Sequence, residues 1–302
     1  MRSRKVIIVF LICCALLSSV AAVAAISNSM MISREANLIL DVTPAPHSDA
    51  VTEETQTPDV TETPTEKPTP TPTVEATSTP TEITTDLDPE KPIVALSFDD
   101  GPGTLHTERI LDVLSENNVT ATFFVVGDMA NNHADVLARH KSLGCEIGNH
   151  TMTHKTNFKE SGVDKVMEEL KGVDRLVKQA TGDETRLVRP PWGAFTDEVL
   201  KEVDRPFILW SVDTEDWKSR DKDAVVAVVK RDVFDGCIIL MHDIYSSTAD
   251  ACAEVIPWLL DEGYQVTSVS EMFAARGVKL EGGKVYRKAP TAQEYMESKS
   301  NN

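Results

Sequence analysis

From Pro92 onward, short apolar segments alternate with longer amphipathic segments, and this alternation repeats about seven times. Short apolar runs bounded by turn residues predict buried strands, and apolar residues at every third or fourth position predict helices. A regular strand–helix alternation implies parallel strands wrapped by helices, either as a barrel or as an open doubly wound sheet. In both architectures the functional residues lie at the carboxyl ends of the strands.

The pattern places the strands and helices within this part of the chain. Strands are expected at 93–97, 121–127, 146–149, 186–189, 207–212, 237–242 and 264–269. Helices are expected at 106–117, 133–143, 162–181, 197–203, 222–233 and 248–261. The connections between them are short, as is usual in α/β domains.

The first 90 residues do not show this alternation. A basic start, Met1 to Lys5, precedes an uncharged apolar run at 6–26. This run exceeds the usual signal-peptide core of about 7–15 residues and is long enough to span a bilayer. We therefore predict that residues 1–27 are either a signal peptide or a retained membrane anchor. Because the basic residues come first, the rest of the chain is expected outside the cytoplasm, membrane-anchored or secreted to the cell wall.

Residues 28–90 are predicted to form a disordered linker rich in Thr, Pro and acidic residues. The stretch 51–90 holds fourteen Thr, seven Pro and ten acidic residues, with one Lys and no aromatic residue. Such a segment cannot bury enough apolar surface to fold. Proline and the mutual repulsion of the acids favour an extended spacer, although an inert tail can have the same composition. The predicted folded domain occupies 91–280, and a C-terminal tail follows at 281–302.

Charge and cysteine content narrow the class of protein. The net charge is −18, which argues against nucleic acid or an anionic membrane surface as a partner, because both require a basic face. Cys145, Cys237 and Cys252 lie outside the apolar N-terminus and have no metal-binding spacing. Cys145 and Cys237 lie within strand-like segments, so we expect them to be buried as small apolar residues.

Polar residues follow the first and third predicted strands. The first strand ends in DDGP at 99–102, which alone could be an ordinary turn. Two adjacent carboxylates there could also divide two tasks, one binding a metal and the other taking a proton from bound water. The third strand leads to His150 and His154, which can reach a single ion if they share a helical turn. Two His and one carboxylate form a zinc-type ligand set with open positions for water and substrate. The ungrouped histidines are expected to be solvent or helix-surface residues: His47, His106, His133 and His140.

Three later strands are also followed by polar residues. RPPWG at 189–193 places Arg189 where it could orient a carboxylate, and Trp192 could form a flat wall for a sugar ring. DTEDW at 213–217 groups three acids beside Trp217, and His242 closes an apolar strand. Each segment has a plainer interpretation, as a structural turn, a solvated acidic loop or a core histidine. Their shared position at the ends of separate strands favours one active site.

Five ordered motifs make this sequence similar to the polysaccharide deacetylase family, carbohydrate esterase family 4 or the NodB homology domain. They are SFDDGP at 97–102, HTMTH at 150–154, RPPWG at 189–193, DTEDW at 213–217 and LMH at 240–242. The resemblance covers about residues 92–275 and implies a distorted (β/α) barrel of about seven strands. Ser97 stands where the family commonly has Thr.

The resemblance implies a role for each polar residue of the first three motifs. Asp99 would be the general base, and Arg189 would orient it. Asp100, His150 and His154 would bind a divalent metal ion, zinc or alternatively cobalt. The ion would polarise the acetamide carbonyl and lower the pKa of its bound water.

The last two motifs would supply the acid. Asp216 would pair with His242 and raise its pKa, and His242 would protonate the departing amine. Asp213 is an alternative partner for His242, because it lies in the same motif. Trp192 and Trp217 would line the substrate groove, and a backbone N–H near Trp192 would help to stabilise the oxyanion.

The expected function is N-deacetylation of an amino-sugar polymer. Peptidoglycan N-acetylglucosamine is favoured as substrate, because a membrane signal and an acidic spacer suit an enzyme that works in its own cell wall. Chitin oligomers and acetylxylan are the alternative substrates, and a non-catalytic glycan-binding wall protein is a third interpretation. The expected partners are an acetylated glycan and, for the N-terminal segment, the membrane. No nucleic-acid partner is expected, and the protein is expected to be a monomer.

Overall fold

The computed structural model describes residues 85–301. The predicted signal or anchor segment at 1–27 and the linker up to residue 84 lie outside the described residues. The strands are β1 (Ile93–Asp99), β2 (Thr122–Val125), β3 (Glu146–Asn149), β4 (Phe207–Ile208), β5 (Val212–Asp213), β6 (Ile238–His242), β7 (Gln265–Thr267) and β8 (Val285–Tyr286). The helices are α1 (Thr104–Glu116), α2 (Gly127–Ala130), α3 (Ala134–Ser142), α4 (Val163–Thr181), α5 (Asp197–Val203), α6 (Asp216–Ser219), α7 (Lys222–Asp232), α8 (Ser246–Asp261), α9 (Val269–Ala275) and α10 (Ala292–Ser300).

The main sheet is parallel and is centred on β1. Its hydrogen-bonded order is β3-β2-β1-β6-β5, and β7 also pairs with β1. On one edge of β1, β7 pairs with the first half of the strand (Ile93 opposite Gln265) and β2 with the second half (Ser97 opposite Thr122). The shorter strands β4 and β8 form a second parallel pair.

Two single-residue bridges connect the ends of this sheet. Val188 bridges Asn149 at the end of β3 and Phe207 of β4. Strands β4 and β5 belong to one continuous segment, 207–213, and β5 pairs with β6. The hydrogen-bonded path therefore runs from β1 through β2, β3, Val188, 207–213 and β6 back to β1, which is a distorted barrel of parallel strands. The α/β fold expected from the sequence is confirmed.

The pleat of β1 separates two apolar clusters. Val94, Leu96 and Phe98 belong to the large cluster between the sheet and the outer helices. Ile93 and Ala95 belong to the cluster that fills the other side of the strand. Because side chains alternate along a strand, Ser97 and Asp99 share the face of Ile93 and Ala95. One face of β1 thus changes from apolar to polar toward its carboxyl end, where the site is built.

Two predicted strands differ from the structure. The strand expected at 186–189 is present only as the bridge at Val188, because two prolines follow Arg189 and cannot donate ladder hydrogen bonds. The strand expected at 207–212 divides into β4 and β5. The N–H of Leu209 still bonds the carbonyl of Tyr286 in β8, whereas the N–H of Ser211 bonds Ile238 in β6. The segment changes partner between these residues.

The segment 281–302, expected as a tail, takes part in the fold. Its strand β8 pairs with β4, and Ala289 is buried. A capping box formed by Thr291 and Glu294 starts α10. A strand of two residues gives no usable apolar period in the sequence, so this part of the domain was not predicted.

The domain also begins before residue 91. Leu87 packs against the interior apolar cluster. The backbone N–H of Asp88 donates to the Gln265 side chain, and the Gln265 amide donates back to the Asp88 carbonyl, both at 2.8 Å. Residues 85–90 are therefore attached to the barrel although their composition resembles the linker.

The structure also shows the environment of three cysteines and of His140. Cys145 and Cys237 are buried free cysteines, as predicted, and so is Cys252. His140 was expected on a helix surface and is fully buried instead, because its face of α3 packs edge-on against Phe123 with ring centroids 4.2 Å apart.

Among residues 85–301, no helix has the length and apolar character needed to cross a membrane.

Candidate active site

The carboxyl ends of β1 and β6 bring Asp99 and His242 side by side. The strand register places Asp99 opposite His242 on one neighbour and opposite Phe124 on the other. Asp99 is buried, and the His242 side chain is 12% exposed. A carboxylate and an imidazole of two different motifs therefore meet at the polar end of the barrel.

Asp100, His150 and His154 form a cluster beside Asp99. The Oδ1 atom of Asp100 lies 3.5 Å from Nε2 of His150 and 3.5 Å from Nε2 of His154. One ligand atom from each residue lies within 4.8 Å of the others. The Oδ2 atom of Asp99 is 3.6 Å from Nε2 of His150, so Asp99 borders the cluster.

This cluster fits a divalent metal ion. Oδ1 of Asp100 is buried and has no hydrogen-bond partner within the described part of the chain. An unpaired buried carboxylate oxygen is costly unless a cation satisfies it. Two ligands about 2.1 Å from a tetrahedral ion would lie about 3.4 Å apart, close to the distances found here. Two imidazoles and one carboxylate are a common ligand set for zinc-type ions.

The four-residue spacing of His150 and His154 suggested a shared helical turn. In the structure the two histidines do not share one. The segment from His150 to His154 is an irregular loop in which Thr151 has φ 72° and His154 has φ 56°. Asn149 accepts a hydrogen bond from the Thr151 N–H, and Glu169 of α4 accepts one from the Thr153 N–H, both at 2.9 Å. These two buried side chains hold the loop in a left-handed conformation that is unfavourable for L-residues.

Hydrogen bonding and burial favour the metal-binding form of the His150 and His154 rings. Nδ1 of His150 lies 2.6 Å from the carbonyl of Arg189. Since that carbonyl can only accept, Nδ1 carries the proton and Nε2 presents a lone pair to the cluster. Burial lowers the pKa of His154, and the adjacent His150 lowers it further, against the opposing charges of Asp100 and Asp99. A neutral imidazole is the form that binds metal.

Arg189 fills the barrel interior beneath Asp99. Its side chain is fully buried and donates to Asp99 Oδ1 at 2.7 Å, Ser97 Oγ at 2.9 Å and the Ile208 carbonyl at 2.9 Å. The guanidinium lies 4.0 Å from the Phe124 ring centroid. Burial lowers the pKa of Arg189, while the charge of Asp99 opposes this change. The guanidinium fixes one oxygen of Asp99, so the other is directed to the cluster.

Asp216 holds His242 through two contacts. Oδ1 of Asp216 lies 2.7 Å from Nδ1 of His242, and Oδ2 accepts from the His242 backbone N–H at 2.7 Å. Thr248 of α8 also donates to Oδ2, at 2.7 Å. Burial by itself would lower the pKa of His242, but the hydrogen bond and charge of Asp216, together with the charges of Asp99 and Asp100, outweigh it and raise that pKa to about 9. Nε2 is left to face the site as a proton donor.

Asp213, the other acid considered for this pairing, does not contact His242. Its side chain is exposed, and its Oδ1 accepts a hydrogen bond from the Glu215 N–H. The structure thus selects Asp216 as the partner.

Two tryptophans are exposed at this end of the barrel. Trp192 is 60% exposed and Trp217 is 49% exposed. Trp192 lies in a one-turn 3-10 helix, Pro191–Gly193, with φ 57°, and its ring centroid is 5.0 Å from that of His154. Trp217 follows Asp216 directly in α6. Flat apolar surfaces that remain exposed beside a polar cluster are typical of carbohydrate-binding sites.

Four residues that complete this end of the barrel were not predicted from the sequence. Thr248 supports Asp216, and Asp243 packs its carboxylate against Gly101, where a Cβ would overlap it. Tyr245 and Arg220 stack next to His242. None of them lies inside a motif that marks a metal or acid–base group, and only the fold shows that they are neighbours.

Comparison with known proteins agrees with this geometry. The family described as Polysaccharide deacetylase matches residues 86–205. A peptidoglycan-N-acetylglucosamine deacetylase of Bacillus cereus is 33% identical over 190 residues, which cover 61% of this chain and 69% of the relative. This chain belongs to the polysaccharide deacetylase family.

Other deacetylases of the family match the same region. The peptidoglycan-N-acetylmuramic acid deacetylase PdaC of Bacillus subtilis is 38% identical over 186 residues, which cover 62% of this chain and 40% of PdaC. This chain therefore spans about four tenths of the length of that relative. A solved structure of PdaC superposes with a TM-score of 0.62 at 37% identity, covering 63% of this chain and 94% of that structure. Further matches bear the names chitooligosaccharide deacetylase, acetyl xylan esterase and CE4 family pseudoenzyme.

Proposed function

We propose that this polysaccharide deacetylase is a metal-dependent hydrolase that removes N-acetyl groups from an amino-sugar polymer, with peptidoglycan N-acetylglucosamine as its substrate. The observation that carries the proposal is the placement of Asp99 and His242 in register on adjacent strands, next to a three-ligand cluster. An amide hydrolase needs a base for the attacking water and an acid for the departing amine, and these two residues can provide both.

Asp100, His150 and His154 would hold a divalent ion, with zinc favoured and cobalt as an alternative. When bound, such an ion polarises a carbonyl and lowers the pKa of a coordinated water. The orphaned oxygen of Asp100 and the Nε2 lone pair of His150 support this assignment.

Asp99 would take the proton of the attacking water. Arg189 occupies Oδ1 of Asp99, which leaves Oδ2 on the side of the cluster. Because Arg189 is buried and makes contacts on three sides, Asp99 cannot turn away without breaking the network. Asp99 is thus pre-oriented for a single direction of proton transfer.

His242 would protonate the amine of the sugar as the acetyl group leaves. With its pKa raised to about 9, the ring is protonated at neutral pH. Asp216 holds the ring by Nδ1, so the proton on Nε2 is the one available. The products are acetate and a glucosamine unit.

Trp192 and Trp217 would line the groove that receives the glycan. The backbone N–H of Trp192 has no hydrogen-bond partner in residues 85–301. A free N–H beside the cluster could donate a hydrogen bond to the developing oxyanion of the tetrahedral intermediate.

Peptidoglycan is favoured over the alternative substrates for two reasons. Relatives at 33–38% identity are named peptidoglycan deacetylases. The apolar segment at 1–27 and the acidic linker at 28–90 also suit an enzyme that is exported and held near the wall, either anchored or secreted. Chitin oligomers and acetylxylan remain the competing substrates, and a glycan-binding protein without activity is the alternative outside catalysis.

One comparison tests the proposal. Acetate release is measured for the full chain on peptidoglycan, chitin oligomers and acetylxylan, before and after removal of metal with a chelator and readdition of zinc or cobalt. We expect the highest kcat/KM on peptidoglycan, loss of activity on chelation and recovery with metal. Faster release from chitin oligomers or acetylxylan would reassign the substrate. Absence of acetate from all three polymers would favour the binding-protein alternative.

A further inference from the structure

The short helix α6 carries a cation to the His242 side of the site. Non-glycine residues in the left-handed conformation flank this helix, Glu215 with φ 50° and Arg220 with φ 49°. Such backbone strain persists where surrounding contacts enforce it, and it is concentrated at functional sites. Here the enforcing contacts include those of Asp216, the partner of His242.

The Arg220 side chain is held in a defined place. Its Nε donates to the Trp217 carbonyl at 2.7 Å, and its guanidinium carbon lies 3.5 Å from the Tyr245 ring centroid. This stacking is a cation–π contact of favourable geometry. The exposed arginine is therefore fixed at two points, through its Nε and through the face of its guanidinium group.

The outer edge of the guanidinium is free. Within residues 85–301, Nη1 and Nη2 of Arg220 donate to no protein group, and no carboxylate forms an ion pair with them. The nearby Lys218 differs, because it pairs with Glu215 at 3.1 Å. Two parallel NH₂ groups with a fixed plane match the geometry of a carboxylate.

This cation lies close to the reacting centre. The Tyr245 ring on which Arg220 stacks is 5.9 Å from the His242 ring, measured between centroids. The guanidinium is thus separated from His242 by a single aromatic ring, comparable to the size of one sugar residue. Most charged residues at this end of the barrel are acidic, and they include Asp99, Asp213 and Glu215. An unpaired, oriented arginine among them favours an anionic group on the substrate.

We propose that Arg220, supported by Tyr245 and Trp217, forms a subsite that binds a carboxylate on the sugar next to the one that is deacetylated. The inference rests on the proposed function, since it concerns the substrate of the same site. In peptidoglycan, N-acetylglucosamine alternates with N-acetylmuramic acid, whose lactyl ether ends in a carboxyl group that is free where no stem peptide is attached. Chitin and acetylxylan carry no such group. Arg220 would therefore select peptidoglycan strands with free lactyl carboxylates over neutral glycans.

The test compares glycans that differ in this charge. Acetate release is measured on four glycans. Two of them are peptide-free peptidoglycan strands with free lactyl carboxylates and the same strands with those carboxyl groups converted to methylamides. The other two are peptide-bearing strands and N-acetylglucosamine oligomers. Arg220→Gln should lower kcat/KM on the free-carboxylate strands about tenfold or more relative to the oligomers, as expected for loss of a charge-assisted hydrogen bond. The loss should reside in KM, and raising the salt concentration should reduce the parent's preference.

Two further variants show whether the effect of Arg220→Gln comes from carboxylate binding or only from the loss of a positive charge. Arg175→Gln removes the same charge from an exposed position on α4. It should leave the ratio of kcat/KM on the free-carboxylate strands to kcat/KM on the N-acetylglucosamine oligomers unchanged. Arg220→Lys keeps the charge without the planar fork, and it should recover only part of the preference. A carboxylate effect seen only with peptide-bearing strands would identify the stem peptide as the source of the anion.

The proposal has a clear contrary outcome. If Arg220→Gln lowers activity equally on charged strands, methylamides and neutral oligomers, or changes none of them, Arg220 has no part in carboxylate recognition. Either result leaves the proposed deacetylation intact, because acetate release by the parent chain is measured in the same experiment. If the parent releases no acetate from any glycan, the proposed function itself fails.

Discussion

His242 and Asp216 form a hydrogen-bonded pair of 2.7 Å between Nδ1 and Oδ1, and the Asp216 side chain is completely buried. Thr248 and the His242 backbone N–H bind the other carboxylate oxygen. Asp216 therefore cannot rotate away, and His242 is fixed with Nε2 directed outward. The pair links the fourth and fifth sequence motifs in the arrangement that is proposed to supply the acid.

The first prediction concerns His242 itself. His242→Ala should reduce the chemical step by about 10²–10⁴-fold, the usual contribution of one proton-transfer group. Because His242 is not part of the three-ligand cluster, the metal content of the purified variant should equal that of the parent. Single-turnover acetate release together with metal analysis checks both statements, and a fully active His242→Ala would exclude His242 as the acid.

The second prediction concerns the pH dependence. The acid must be protonated, so activity should fall as pH rises through the pKa of His242, which Asp216 raises to about 9. Asp216→Asn removes the anion that stabilises the imidazolium, which lowers that pKa. The fall in kcat/KM should therefore begin at lower pH than in the parent. Asp213→Asn is the matched control and should leave the profile unchanged, since within residues 85–301 the Asp213 side chain bonds the Glu215 N–H and not His242. A shift in Asp213→Asn instead would move the role to Asp213.

Much of this site could be predicted from the sequence, because the motif residues end strands whose apolar runs are easy to recognise. Asp99 and His242 each follow such a run, and parallel strands bring their carboxyl ends together. The choice between Asp213 and Asp216 could not be made from spacing. It depends on the turn of α6, which buries one acid and exposes the other.

Other features were hidden because they depend on contacts between distant segments. The His150–His154 loop was expected to be helical from its four-residue spacing, but Asn149 and Glu169 bind its backbone and hold it in another conformation. Strand β8 has two residues, and its existence depends on its pairing with β4. The Arg220–Tyr245 stack joins residues 25 positions apart and leaves no pattern in the sequence.

The third prediction separates the metal ligands from the base. His150→Ala and His154→Ala should each lose bound metal and activity, because only two protein ligands remain. Asp99→Asn should keep the metal and lose activity, since an amide cannot take a proton from water. Metal analysis of the three variants after dialysis decides between the two groups, and loss of metal from Asp99→Asn would place Asp99 in the coordination sphere.

The fourth prediction concerns the buried Arg189. Replacing Arg189 by Met leaves the buried Asp99 without its cation, which should cost about 3–5 kcal/mol of unfolding free energy in addition to activity. Ser97→Ala removes the contact at Arg189 Nη2 and the bond from the Ser97 hydroxyl to the Ile239 carbonyl, and it should cost about 2 kcal/mol. Urea unfolding of both variants provides the comparison. Equal stability of Arg189→Met and the parent would mean that the network does not stabilise the barrel.

The last prediction concerns His140, which is fully buried in α3 and lies outside the five motifs. Its Nδ1 lies 2.7 Å from the Val136 carbonyl, and its Nε2 has no partner within the described residues. Burial lowers the pKa of His140 from 6.5 to about 4. The unfolded chain therefore takes up a proton at this histidine as pH falls through 6.5, whereas the folded chain does not until about pH 4.

Stability should consequently decrease as pH falls through this window, by about 2–3 kcal/mol from this residue alone. His140→Leu fills a similar volume without a titrating group. It should therefore lose less unfolding free energy than the parent between pH 7.5 and pH 4.5, as measured by urea unfolding at both values. His133→Leu, which changes a half-buried histidine at the residue before the same helix, should follow the parent curve. Identical pH dependence in His140→Leu and the parent would show that His140 is not the residue that makes the fold sensitive to acid.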